Sequence, residues 1–158
     1  MSFSYREKSV WVSLLATLIV AGYFYNDVIR FLAPDGQAEA ASVAMLLLQV
    51  AGAMTVIEIV LHALLAMKNQ EGANDAEDER EKQYRLKANE LGYWVLSVGV
   101  VACVIQQLIV QQLIDIDPNA YEGYLQGPIE LKLIVIFWLS EVVRFVTQLY
   151  FYRRDDEL

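Results

Sequence analysis

Apolar residues run almost unbroken through four stretches of this chain, from Val10 to Ile29, Ala41 to Met67, Leu91 to Ile114 and Leu133 to Tyr152. Polar and turn-forming residues are confined between them. At about 1.5 Å of rise per residue, each stretch can cover a hydrocarbon core of about 30 Å as a single helix. The pattern therefore predicts an all-α, multi-pass membrane bundle of four helices, with residues 1–158 forming one transmembrane domain.

The breaks differ in kind. "FLAPDGQAEAA" contains Pro-Asp-Gly, and "IDIDPNAYEGYLQGPIE" contains Asp-Pro and Gly-Pro, so both predict turns or short loops. The middle break begins with "KNQEGAN" and then continues as "DAEDEREKQYRLKANELGYWVL", which has no Gly or Pro before Gly92 and opens with acids that favour a helix N-terminus. This predicts a helix over about 75–90, capped by Asn74 or Asp75, that leads directly into the third span. Asp78 and Lys82, like Glu81 and Arg85, stand four residues apart with the acid first, the favourable order for helical ion pairs. The first stretch follows "REK" as a secretory signal would, but it is longer than a signal core and no small-x-small site follows, so it is expected to persist as the first helix.

Charge placement orients the helices. Of the twelve basic residues, Arg6, Lys8, Lys68, Arg80, Lys82, Arg85, Lys87, Arg153 and Arg154 fall on one side, Arg30 and Lys132 flank the other, and Arg144 lies inside the fourth stretch. An excess of Lys and Arg marks the cytoplasmic side. Both termini and the middle segment are therefore expected in the cytoplasm, and the chain in a cytoplasmic (inner) membrane. A hydrophobic content of 56% and a mean hydropathy of +0.34 agree with this class. The net charge of −8 leaves no basic surface suited to nucleic acid, which is excluded as a partner. The single cysteine, Cys103, excludes a disulfide framework and reads as a small packing residue.

The candidate chemistry is polar residues inside apolar stretches. In "VIEIVLHALLAMK", Thr55, Glu58 and His62 fall within a helical arc of roughly 60°. In the fourth stretch Ser140, Glu141, Arg144, Thr147 and Gln148 share roughly 120°. Glu90, Tyr93 and Ser97 align in the third, and Ser13 and Thr17 in the first. Counted from the cytoplasmic ends, Glu58 lies at a depth of roughly 13 Å, His62 at 7 Å, Arg144 at 12 Å and Glu141 at 16 Å, so these strips share one layer. An ionised group at mid-span costs about 2.5–3.5 kcal/mol on insertion scales, which favours inward-facing pairs. The expectation is a buried Arg144 contacted by Glu58 and Glu141, with His62 on the cytoplasmic side and Ser13, Thr17, Thr55, Glu90 and Ser97 in support.

"DERE" at Asp78, Glu79, Arg80 and Glu81, followed by "LKANELGYWVLSVG" from Leu86 to Gly99, resembles a motif of uncharacterised small bacterial inner-membrane proteins with four helices. The resemblance covers about twenty-five residues. It implies a four-helix fold and a bacterial cytoplasmic membrane, carries no assigned activity, and suggests a regulatory or stress role, because such proteins are often encoded beside small helix-turn-helix regulators.

Several roles use the same residues. Small and polar groups, here Gly52, Ala53, Gly92 and Gly99 with the ionic layer, can hold a bundle together in lipid. Glu58, Arg144 and His62 could instead handle protons or ions in a small transporter, with His62 relaying a proton to the cytoplasm. The helix bearing Asp78 to Glu81 could dock a cytoplasmic protein. Glu58 and His62, completed by Glu90 or Glu141, are the weaker candidates for a metal site, and no cofactor is otherwise expected. No catalytic constellation is present in the sequence. Gln106, Gln107, Gln111 and Gln112 present amides over more than half of one helix, which points to self-association.

Overall fold

The computed structural model describes residues 4–32, 39–68, 78–116 and 127–155. They form four helices, α1 (Tyr5–Leu32), α2 (Ala40–Lys68), α3 (Glu79–Ile116) and α4 (Ile129–Asp155), and no strand occurs among them. Each helix overruns the apolar stretch that predicts it, because flanking Tyr, Arg, Lys and Glu are good enough helix formers to continue the ladder past the apolar residues. α1, α2 and α3 are long and apolar enough to cross a membrane. α4 has 27 residues, about 40 Å at 1.5 Å per residue, and carries Glu141 and Arg144 near its middle.

Local chemistry fixes the helix starts. Ser4 precedes α1, and its Oγ accepts the backbone N–H of Glu7 at 3.1 Å. Asp78 precedes α3: its carboxylate accepts the N–H of Glu79 at 2.7 Å, and the Glu81 carboxylate reaches back to the Asp78 N–H at 3.5 Å, the return half of a capping box. Among the described residues α3 begins at Glu79, and the predicted caps Asn74 and Asp75 lie outside them. Pro128 opens α4, its carbonyl accepting from Leu131 and Lys132 at 3.2 and 3.4 Å.

The helices alternate in direction. The start of α1 meets the end of α2 through Ser13 and His62, the start of α3 through Arg6 and Glu81 (3.2 Å), and the end of α4 through Glu7 and Arg153 (3.4 Å). Nearly all the basic residues assigned to one side by sequence thus gather at one end of the bundle. At the opposite end, Lys132 Nζ donates to Gln106 Oε1 at 2.9 Å and to Gln107 Oε1 at 3.1 Å, joining α4 to α3. Of the four glutamines, some of which are expected from the sequence to face a second subunit or the outer headgroups, Gln106 and Gln107 are engaged within the chain, and Gln111 and Gln112 are exposed.

α4 is the hub: it packs along α3 and α1, while α2 rests mainly on α1. One apolar core, at the end away from Arg153, joins Val20, Phe24 and Val28 of α1, Val43, Leu46 and Val50 of α2, and Leu131 and Trp138 of α4. A second joins Val10 and Leu14 to Phe145, Leu149 and Tyr152, with Tyr84 of α3 against it. α3 meets α4 through small residues. Ala88 and Gly92 are buried, a Cβ on Gly92 would lie 3.1 Å from Arg144 Cβ, and one on Gly99 would overlap the Ile136 side chain. Gly52 behaves differently from expectation, since nothing lies within 4 Å of where its Cβ would be. Leu48, Ile59, Val101 and Leu108 are each more than half exposed, the surface expected of helices bathed in lipid.

Candidate functional site

Against the second apolar core, towards the end of the bundle that bears Arg6 and Tyr152, the helices leave a cavity of about 480 Å³. α1 contributes Tyr5, Arg6, Ser9 and Ser13, one face of its first turns. α2 contributes Glu58 and His62, α3 contributes Arg85, and α4 contributes Arg144, Phe145, Gln148 and Tyr152. Spacings of three and four residues put each set on one side of its helix. Of the residues anticipated to share a layer, Ser13, Glu58, His62 and Arg144 line this space.

His62 is held from α1 by two hydroxyls one turn apart. Ser13 Oγ lies 2.9 Å from Nε2 and Ser9 Oγ lies 3.4 Å from Nδ1. A serine hydroxyl can donate or accept, so this cradle accommodates either neutral tautomer of the imidazole and its cation. Ser9 is absent from the expected set, although its place one turn before Ser13 is the signal that could have found it. Gln148, one turn beyond Arg144, is 6% exposed and also lines the cavity.

Arg144 is not joined to Glu58. Its Nη2 donates to Glu141 of the same helix, its guanidinium carbon lies 4.2 Å from the Phe145 ring centroid, and its Nε is buried with no hydrogen-bond acceptor among the described residues. The intrahelical pair prevails because Glu141 is one turn away and needs no approach of two helices, whereas Glu58 stands on another wall of the cavity. Gly92 matters here: the Arg144 stem lies on it, with Arg144 Cγ 3.6 Å from the place a Cβ would take.

The supporting residues divide. Thr17 is fully buried and donates to the Ser13 carbonyl at 3.0 Å, which helps fix the α1 wall. Thr55 is exposed and donates to the Ala51 carbonyl at 2.9 Å, outside the cavity. Glu90 and Ser97 are also outside it, because the α3 face against α4 is the one bearing Ala88, Gly92 and Gly99, and the Glu90 stripe lies more than about 100° round the helix. Among the described residues no group of three or more His, Cys, Asp or Glu is placed to hold a metal ion, so neither Glu90 nor Glu141 completes a site with Glu58 and His62.

Of the interaction motif, Glu79 and Arg80 are exposed and Asp78 caps α3, with Arg80 Nε 4.0 Å from its carboxylate. Glu81 turns inward, engaged by Arg6 and by the Ser4 hydroxyl at 3.2 Å, in place of a pairing along α3 alone. Sequence reasoning also missed Glu7, 4% exposed and paired with Arg153. A carboxylate just ahead of a long apolar run gives no hint that it points into the bundle. Set against protein-family models, curated proteins and solved structures, the chain matches none.

Proposed function

We propose that this chain is a four-span protein of a bacterial cytoplasmic membrane, with the ends of α1 and α4 that carry Arg6 and Arg153 in the cytoplasm, and that its cavity binds a small anionic solute from that side in a regulatory role. The observation that carries this reading is that Glu58, His62 and Arg144 face a shared space and are not closed onto one another. Groups serving only to glue helices would be expected to bond directly across them. The lining brings Arg6, Arg85 and Arg144 together beside His62 and Glu58, and although Arg6 and Arg144 already engage Glu81 and Glu141, the remaining N–H groups of three guanidiniums favour a carboxylate or phosphate, and the volume suits a small metabolite. Inclusion of α4 as a span rests on its length and its packing along α1 and α3, with the Glu141–Arg144 pair reducing the cost of its charges.

Transport is the second reading, favoured by the placement of Glu58 one turn from His62, which could pass a proton along the wall. Beyond the cavity, however, Val20, Val50, Leu131 and Trp138 pack into a dry core, so a path would require that core to open. A docking role for Asp78, Glu79 and Arg80, and association with a second copy through the exposed Gln111 and Gln112, are compatible additions.

The test is a melting-temperature screen of the detergent-purified chain against small carboxylates and inorganic phosphate, with Arg144→Gln beside the parent. Stabilisation by at least one anion that disappears in the variant supports the binding reading. Proton uptake by proteoliposomes with no anion stabilisation would move the assignment to transport.

A further inference from the structure

Beside the cavity, with Tyr152 common to both, an aromatic cluster joins α3 to α4. Tyr84 stacks on Phe151, with centroids 5.8 Å apart and planes at 13°, and meets Tyr152 edge-on at 5.4 Å. Two cations from different helices sit over the same Phe151 ring: Lys87 Nζ is 5.3 Å from its centroid and Arg154 Cζ is 5.4 Å. Among the described residues neither has a carboxylate at ion-pair distance, although Glu90 stands one turn along from Lys87. Both side chains are exposed.

Two like charges brought to one ring repel each other, and the ring's quadrupole offsets only part of that cost. An anion beside them would remove it. Their place along the helices narrows the choice of anion: Lys87 lies one turn before Leu91, where the apolar run of α3 begins, and Arg154 follows Tyr152, where that of α4 ends. On the membrane reading given above, on which this inference rests, that is the depth of lipid headgroups.

We propose that Lys87, Arg154 and Phe151 form a binding site for the phosphate of an anionic phospholipid, with the phosphodiester between the two cations and the lipid's apolar part along the neighbouring aromatic surface. The neutralised pair would then clamp α3 to the end of α4.

The experiment uses the full chain in a neutral detergent at physiological salt, titrated with phosphatidylglycerol or phosphatidylcholine, with melting temperature and native mass spectrometry as readouts. Phosphatidylglycerol should stabilise the parent and remain bound in the gas phase where phosphatidylcholine does not. Each cation is worth about fivefold in affinity for anionic lipid, so Lys87→Gln with Arg154→Gln should weaken binding about thirtyfold. Lys68→Gln with Lys82→Gln, which removes the same charge elsewhere, should leave it unchanged. Equal responses to the two lipids, equal losses in both double variants, or full reproduction of the shift by inorganic phosphate would each overturn the proposal. Mass spectrometry of the parent keeps it falsifiable even where a variant folds poorly. Recovery of the chain from the soluble fraction without detergent would instead refute the membrane reading beneath it.

Discussion

Neutralising Glu58 and neutralising Arg144 should have unequal effects, and the difference can be estimated. Arg144 bonds to Glu141, lies over Phe145 and rests its stem on Gly92, with 30% of its side chain exposed and 23% of Glu141's. A partly exposed pair of this kind falls between the few tenths of a surface helical pair and the 3–5 kcal/mol of a fully buried one, about 1–2 kcal/mol. The cation–π contact adds about 1 kcal/mol. Arg144→Gln should therefore cost about 2–3 kcal/mol. Glu58 makes no ion pair among the described residues, so Glu58→Gln should change stability by no more than about 0.5 kcal/mol, or raise it by relieving a carboxylate at membrane depth. Two double-mutant cycles, read by reversible unfolding in detergent, separate the partners. Coupling between positions 141 and 144 should be about 1 kcal/mol or more, and between 58 and 144 under about 0.5 kcal/mol. The reverse order of couplings would show that the cavity closes in solution and that the pair is structural, which would sink both this reasoning and the proposed binding site.

Two glycines should respond in opposite ways. A methyl group at Gly99 meets Ile136, whose branched side chain has one strongly preferred rotamer in a helix, so Gly99→Ala should cost about 1–3 kcal/mol, while Gly52→Ala, facing open space, should be neutral or gain about 0.5–1 kcal/mol; thermal unfolding of both variants tests the α3–α4 contact, and equal effects would refute it. Lys132→Met removes the donor that serves Gln106 and Gln107 and should lower stability by about 2 kcal/mol, with a neutral result in the same assay showing that those amides find equivalent partners.

Much of the architecture is legible along the chain because apolar length is a strong signal: four runs became four helices, and the clustering of basic residues foretold which helix ends would lie together. The polar strips of α1, α2 and α4 could be aligned by counting turns, and they do meet. Choice of partner was not legible, because Glu58 and Glu141 lie at similar depths and only the width of the gap between helices decides which one Arg144 reaches. The facing of α3 was misread for a related reason. Its polar stripe invited an inward assignment, but close packing against α4 required the face with Ala88, Gly92 and Gly99, and that close approach leaves Glu90 and Ser97 on the other side of the helix. Glu7 shows the same limit, since its burial depends on Arg153 at the far end of the sequence.

The central place of α4 has a consequence for biosynthesis. Helices leave the ribosome in chain order, so α1 and α2 can pair at once, whereas α3 packs chiefly against a helix that has not yet been made. α4 must then enter last and fill the position between α1 and α3. It is also the helix with a carboxylate and a guanidinium near its middle, and because Glu141 and Arg144 neutralise each other within one turn, it asks no counter-charge of the helices already made, which on the proposed membrane reading eases its entry into the bilayer. A nascent chain stopped short of Ile129 would hold an α1–α2 hairpin and a solitary α3, with the walls of the cavity still unassembled.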